Sequence, residues 1–475
     1  MRHLSRMASL CLLAALVSPV PLASAEEPET PQDPAPTTLA LSATKTYAGR
    51  ETRLTVTALS GAPEPLSQVS VRIERRVDGS WRPAGEAVTG EDGTVEVERT
   101  MSRSADDNRF RASYDGDETH APSTSGAVVA ALARREGVVR LRGPADVVDG
   151  RRITLRVTSR TRSGEPVTGD ARVLRRLDGR RTGTSWREVR TVSTGGKGKA
   201  RIRVRPRVDT RWRVVGLAQD WVTRGRSDVL RVDNLPPAAP VRLPPAAPKP
   251  RVHLPTQRRG TGRGAHPVVT RIPDGVWGSM TGRSWHAGCP VGRAGLRLLR
   301  INYWGYDGYR HRGELVAAVG AMPAMRNALV GLFKAELPIR SMYRVDRFGW
   351  SARLQGADDY RSMAAGNTSA FNCRQVVNRP GVRSPHSYGR SLDLNTWENP
   401  YRSPTGLVPN TWWQSHSHPR VAWRSREHRV VQILTRAGFR WTYGNGDTQH
   451  FDVGGGHGRA IAAPPARRCG GAACD

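Results

Sequence analysis

Apolar residues recur at every second position through the first half of the chain: Leu54 and Val56, Val71 and Ile73, Val95 and Val97, Ile202 and Val204. A period of two places neighbouring side chains on opposite faces of an extended strand. Interrupted by Asp-Gly and Gly-rich turns, it marks half-buried antiparallel strands. The pattern also repeats itself. Segments 47–50 (YAGR) and 54–57 (LTVT) return as 148–151 (VDGR) and 155–158 (LRVT). Likewise 71–79 (VRIERRVDG) returns as 171–179 (ARVLRRLDG), and 107–111 (DNRFR) as 209–213 (DTRWR). The offset is about one hundred residues, the size of one sandwich domain. Two all-β sandwiches are therefore expected, over 38–132 and 136–234.

Beyond them the pattern changes. Segment 235–256 (LPPAAPVRLPPAAPKPRVHLPT) is proline-rich and reads as an extended, semi-rigid linker. In 257–460 helical and strand-like stretches mix. Residues 314–336 read as a helix interrupted at Pro323, with Leu329, Leu332 and Phe333 on one stripe. Residues 425–437 read as a second helix, with Val430, Ile433 and Leu434 inward and Gly438 just past its end. Segments 391–394 (SLDL) and 450–453 (HFDV) read as short strands. The sandwiches resemble the immunoglobulin-like modules of exported bacterial enzymes, a likeness of architecture that says little about function. A Ser42–Lys45 S-x-x-K run lacks the S-D-N and K-T-G partners its chemistry needs and reads as chance. Trp81 and Trp186, at corresponding places in the repeats, read as packed structure in preference to ligand-stacking rings.

At 475 residues the chain is too long for one core. Arg2 and Arg6, the apolar run 7–17, Pro19 and Pro21, and the small residues 23–25 before Glu26 have the layout of a secretory signal peptide over 1–25. A retained anchor fits less well, because the run falls short of the ~20 residues that span a bilayer. Residues 26–37 read as a disordered leader and 461–475 as a flexible tail. No later stretch is long and apolar enough to span, so the mature chain is expected to be soluble and secreted. After loss of Cys11 four cysteines remain, and three pairings are open. Cys289–Cys373 and Cys469–Cys474 are favoured, because the last two share a glycine-rich tail. The competing reading makes Cys373 a nucleophilic thiol.

A formal net charge of +32 attracts polyanions. Export and the lack of any zinc-finger or RNA-binding signature turn that charge toward acidic cell-wall polymers and away from nucleic acid. The bland alternative is a charged surface with no target.

Two segments carry candidate chemistry: 384–393 (SPHSYGRSLD) and 447–451 (DTQHF). With Leu392 and Leu394 on a core face, Asp393 points the other way, and Gly389 permits a turn that brings His386 to the same side. Phe451 and Val453 inward leave His450 and Asp452 outward, and the loop at 444–446 (GNG) delivers Asp447. His386, Asp393 and His450 match the ligand set of a catalytic zinc with room for water, and Asp447 is the candidate base. Asp452 could replace Asp393 as a ligand, but reads in preference as a residue orienting one histidine. His416, His418, His428 and His457 read as loop, surface or tail. No H-E-x-x-H is present, so thermolysin-like chemistry has no support.

The same two segments resemble the S-x-H-x-x-G-x-A-x-D and D/E-x-x-H signature of M15 metallopeptidases, the D-Ala-D-Ala carboxypeptidase and L-alanoyl-D-glutamate endopeptidase relatives. Segments 343–346 (YRVD), 371–374 (FNCR) and 399–401 (NPY) resemble that family's other motifs, and Ser391 stands where it often has alanine. The resemblance covers about 280–455. It implies one Zn²⁺ on His386, Asp393 and His450, with Asp447 as base, Arg374 on the substrate carboxylate and Ser384 hydrogen-bonding nearby. It also implies an α+β, DD-peptidase/Hedgehog-like domain acting on peptidoglycan peptides. The rival expectation is a wall-binding or adhesive protein whose peptidase-like domain is inactive.

Overall fold

The computed structural model describes residues 33–61, 64–178 and 185–454. The expected signal peptide, most of the leader, His457, Cys469 and Cys474 lie outside the described residues. The chain divides into two compact units. One runs through Arg135 and includes Gln219–Thr223; the other holds Glu136–Ala218 and everything from Arg224 onward. Among the described residues no helix is long and apolar enough to cross a membrane.

In the first unit Glu51–Ser60 is paired by Thr37–Ala43 on one side and Thr94–Thr100 on the other. A second sheet is built on Ser70–Val77, flanked by Ser80–Val88 and Arg109–Tyr114. Leu54, Val56 and Ala58 of the first sheet pack with Val71, Ile73, Phe110 and Ala112 of the second in one core. The period of two produces this directly: the residues between the buried ones face outward.

The second unit begins with the same arrangement. Ile153–Thr161 lies between Gly137–Arg142 and Lys199–Val204, and Gly169–Leu177 between Arg187–Thr194 and Thr210–Gly216. Leu155, Val157, Val173 and Trp212 occupy the places that Leu54, Val56, Ile73 and Phe110 hold in the first repeat. Trp81 and Trp186 are half-buried, each with an arginine (Arg111, Arg213) 4.5 Å from its ring. Neither ring has both faces free.

The rest of the second unit joins helices to short sheets. Leu296–Trp304 pairs along its whole length with Arg310–Ala318, and the helix Met322–Lys334 packs on that hairpin. This corrects the helix expected over 314–336. Residues 315–317 are buried on both faces, so they show no strand alternation, and the helix starts only at Met322, with Pro323 in its first turn. The second helix is Arg429–Arg436, shorter than expected at its start. His428 is its N-cap, half-buried, with its ring accepting from the Val430 N–H, and so is not a surface residue. A three-stranded sheet of Ser391–Asp393, His450–Val453 and Phe439–Arg440 completes the core.

The proline-rich segment, expected as an extended, semi-rigid linker, lies along this region. Trp397 donates its indole N–H to the Pro248 carbonyl (2.7 Å), the Val241 N–H bonds to Tyr306, and the Arg251 N–H to Ala364. Leu243 and Ala247 pack against Trp397 and Trp413. A stiff extended segment leaves its own backbone groups unpaired, and here a neighbouring surface satisfies several of them.

Candidate metal centre

The site is assembled by one strand pair and one turn. Asp393 lies opposite His450, and Leu392 opposite Phe451, across two antiparallel strands. Leu392 and Phe451 enter the apolar core, which leaves Asp393 and His450 together on the other face. His386 comes from the one-turn helix Pro385–Tyr388. Ser384 caps that turn, its hydroxyl accepting from the His386 N–H at 3.4 Å. Gly389 closes it at a φ of +66°. A Cβ there would stand 2.7 Å from the Ala318 nitrogen, so only glycine allows the turn to seat against the neighbouring strand.

Three side chains converge. His386 Nε2 lies 3.1 Å from His450 Nδ1 and 3.1 Å from Asp393 Oδ2, and His450 Nδ1 lies 3.1 Å from Asp393 Oδ1. All three residues are buried. Their outer nitrogens are already committed. His386 Nδ1 is 2.5 Å from the Ala370 carbonyl, and His450 Nε2 is 3.0 Å from Asp452 Oδ1. Asp452 is held in turn by the hydroxyls of Ser391 (2.6 Å) and Thr442 (2.7 Å). A carbonyl and a carboxylate only accept, so each outer nitrogen carries a ring proton, and the inner nitrogens are the ones whose lone pairs a cation could take. Two lone pairs and a carboxylate facing one another repel unless a cation lies among them. Nitrogen and oxygen donors in this number are a set that zinc takes. The residues therefore fit a metal ion.

The electrostatics agree. Burial opposes ionisation of Asp393, but the imidazoles of His386 and His450 outweigh it and hold the carboxyl well below the usual carboxylate range. Burial also disfavours the charged form of His450, yet Asp393 and Asp452 outweigh it and raise this imidazole well above its ordinary value. Protons and a metal ion thus compete for the same lone pairs.

The cluster opens into a cavity of about 460 Å³. Asp447 reaches it from the turn Gly444–Gly446, with its backbone bridged to Tyr401. Its Oδ1 is buried and has no hydrogen-bond partner among the described residues. Burial is the first cause pushing this carboxyl well above the usual range, and the charge of Asp393 adds to it. Arg374 lines the same cavity, donating through Nη2 to Asp359 (2.7 Å) and through Nη1 to the Gln375 carbonyl. Cys373, beside it, is disulfide-bonded to Cys289, so it offers no free thiol for nucleophilic chemistry. Ser384 also lines the cavity. His416 stacks on Trp412, and His418 accepts from the Arg420 N–H, so neither belongs to the cluster.

Asp359, Tyr443 and Gln449 are among the lining residues that the sequence reading does not single out, as are Arg379, Arg383 and Arg402. Asp359 opens the helix Asp359–Ala364 and ion-pairs Arg374 across fifteen residues of chain. Gln449 lay inside a recognised motif, and its place between Asp447 and His450 was the available signal.

Residues 378–453 match a family model described as D-alanyl-D-alanine carboxypeptidase, of M15 peptidase type. The match supports an M15 peptidase domain in the C-terminal part of the chain, and with it a peptidase type of function. No curated protein matches the chain. Among solved structures, the chain is similar to the D0-D1 domain of intimin at 14% identity, with a TM-score of 0.17, covering 42% of this chain and 98% of that one. It is similar to a tetra-tandem repeat of a large adhesion protein at 10% identity and a TM-score of 0.27, covering 60% and 63%. Escherichia coli alpha-2-macroglobulin gives 10% identity and a TM-score of 0.19, covering 56% of this chain but only 26% of its own length. Scores this low define no fold, which rests on the sheets described above.

Proposed function

We propose that this chain is a secreted, zinc-dependent M15 metallopeptidase that hydrolyses peptide bonds in peptidoglycan stem peptides or cross-links, as a carboxypeptidase or an endopeptidase. In this reading the two β regions are immunoglobulin-like sandwiches preceding an α+β peptidase domain, and the basic surface holds the protein at anionic wall polymers. The observation that carries it is the convergence of two imidazole nitrogens and one carboxylate within 3.1 Å of one another, beside a buried carboxyl, Asp447, whose Oδ1 has no hydrogen-bond partner among the described residues.

His386 Nε2, His450 Nδ1 and one oxygen of Asp393 would hold a single Zn²⁺. When bound, such an ion polarises a scissile carbonyl and lowers the pKa of a water to about 7. Ala370 and Asp452 keep the two rings in the tautomers that face inward. Asp447, with a free oxygen in the cavity, takes the proton from the attacking water and passes it to the departing amine. A raised carboxyl suits both halves of that transfer. Arg374 sits where a guanidinium can pair a substrate carboxylate, and Arg379, Arg383 and Arg402 also line the cavity, which favours peptides rich in free carboxyl groups. Ser384 contributes by holding the turn that carries His386.

Digestion of purified peptidoglycan, read by mass spectrometry of the released muropeptides, tests the proposal. Zinc-loaded protein is expected to yield one new class of shortened stem peptide, chelation to stop it and added zinc to restore it. No product with zinc, or a product indifferent to chelation, would rule the proposal out.

A further inference from the structure

The hairpin Leu296–Trp304 and Arg310–Ala318 has two unlike faces. Leu299, Ile301 and Leu315 enter the apolar core. The positions between them put Arg300 opposite Glu314, and Asn302 opposite Arg312, on the other face. That polar face floors a cleft of about 1050 Å³ which shares no lining residue with the peptidase cavity. Six arginines line it: Arg258, Arg283, Arg300, Arg312, Arg344 and Arg347. Only two carboxylates do, Glu314 and Asp346, so six charges against two leave an excess of four.

The distribution of those carboxylates matters. Asp346 and one oxygen of Glu314 hold Arg344 at the base, at 2.8–3.1 Å. Glu314 also bonds Arg300 (2.9 Å) and lies 3.6 Å from Arg347. One side chain thus serves three guanidiniums. Among the described residues no carboxylate ion-pairs Arg258, Arg283 or Arg312. Arg312 donates only to neutral oxygens, the His266 carbonyl and Asn302 Oδ1. Partial burial, and then the like charge of Arg300, hold its pKa below the ordinary value. Arg258, Arg283 and Arg347 are exposed at the rim.

We infer that this cleft binds a linear phosphodiester polymer of the polyol-phosphate kind. Planar guanidinium forks match phosphoryl oxygens, and the absence of lysine from the lining favours that geometry over simple charge. The volume and the excess of four charges suit several phosphates in a row, not one ion. The lining's one aromatic residue, Tyr343, bonds its hydroxyl to Pro255 and has the Arg347 guanidinium 5.5 Å from its ring. It offers no free stacking platform for nucleic-acid bases.

Calorimetric titration of the full chain with glycerol-phosphate oligomers tests this, beside inorganic phosphate and an oligothymidylate of equal charge. The triple variant Arg258→Ala/Arg283→Ala/Arg312→Ala is expected to bind the oligomer roughly tenfold or more weakly. Removing three exposed charges from a sandwich strand (Lys199→Ala/Arg201→Ala/Arg203→Ala) should change affinity less than about twofold. If the triple variant fails to fold, the double variant of the exposed Arg258 and Arg283 decides, with a loss of roughly threefold expected. Equal losses in the cleft and strand variants would assign the binding to diffuse charge. Phosphate binding as tightly as the oligomer, or oligothymidylate binding more tightly, would likewise overturn the inference. None of these readouts depends on peptidase activity.

Discussion

The strands Glu51–Ser60 and Ser391–Asp393 bury their residues in different ways. In the first, ten residues long, Thr52, Leu54, Val56 and Ala58 are buried and their neighbours face outward. In the second all three residues are buried, Leu392 in the apolar core and Asp393 in a polar cluster on the opposite side. A one-sided strand is held by apolar area removed from water. A two-sided strand carries on its second face groups whose burial is unfavourable unless each has a partner. Around Asp393 every inner atom has such a partner only if a cation or protons lie among them, whereas around Leu54 nothing further is required. The first strand thus serves stability alone, whereas the second joins a core face to the polar cluster, so the first can be perturbed without touching the cluster.

The largest effect expected from breaking this separation is at Asp447. Asp447→Ala should retain zinc and lose turnover on stem peptides by about 10²–10⁴-fold, the usual contribution of a general base. Unchanged turnover would remove it from that role. Next in size is Leu54→Ala, which empties a fully buried site and should cost its unit ~2–5 kcal/mol in denaturant unfolding. Zinc content and turnover should stay as in the parent, and a change in either would show that the two kinds of strand are not independent. The smallest is Asp452→Ala. It frees the His450 ring from its outer carboxylate and should weaken zinc binding about 10–100-fold in a chelator competition, leaving thermal stability nearly unaltered. Parent-like affinity would mean that the strand pairing alone orients the imidazole.

The same contrast explains how much was legible in the residues themselves. Alternation at Leu54 and Val56, repeated at Leu155 and Val157, announces one-sided strands, and the structure has strands at both places. Where both faces are buried the alternation disappears. Residues 314–318 (ELVAA) then look helical, although Glu314–Ala318 pairs in register with Leu296–Arg300. The short strand at Ser391–Asp393 was readable because polar and apolar residues alternate even though both are buried. The pairing of Arg374 with Asp359 was not, since nothing local to either residue signals the other. Nor does a proline-rich composition reveal where such a segment docks. Prolines at 236, 237, 244, 245 and 248 give stiffness, but the partners Tyr306, Ala364 and Trp397 come from distant parts of the chain.

The central claim is that three residues far apart in the chain share one divalent ion. Elemental analysis of purified, zinc-equilibrated and exhaustively dialysed protein measures it most directly, comparing the parent chain with His450→Ala. One zinc per parent chain and none in a variant that keeps the parent's circular dichroism is the result predicted here. A parent that retains no zinc, or a variant that retains as much as the parent, would contradict it.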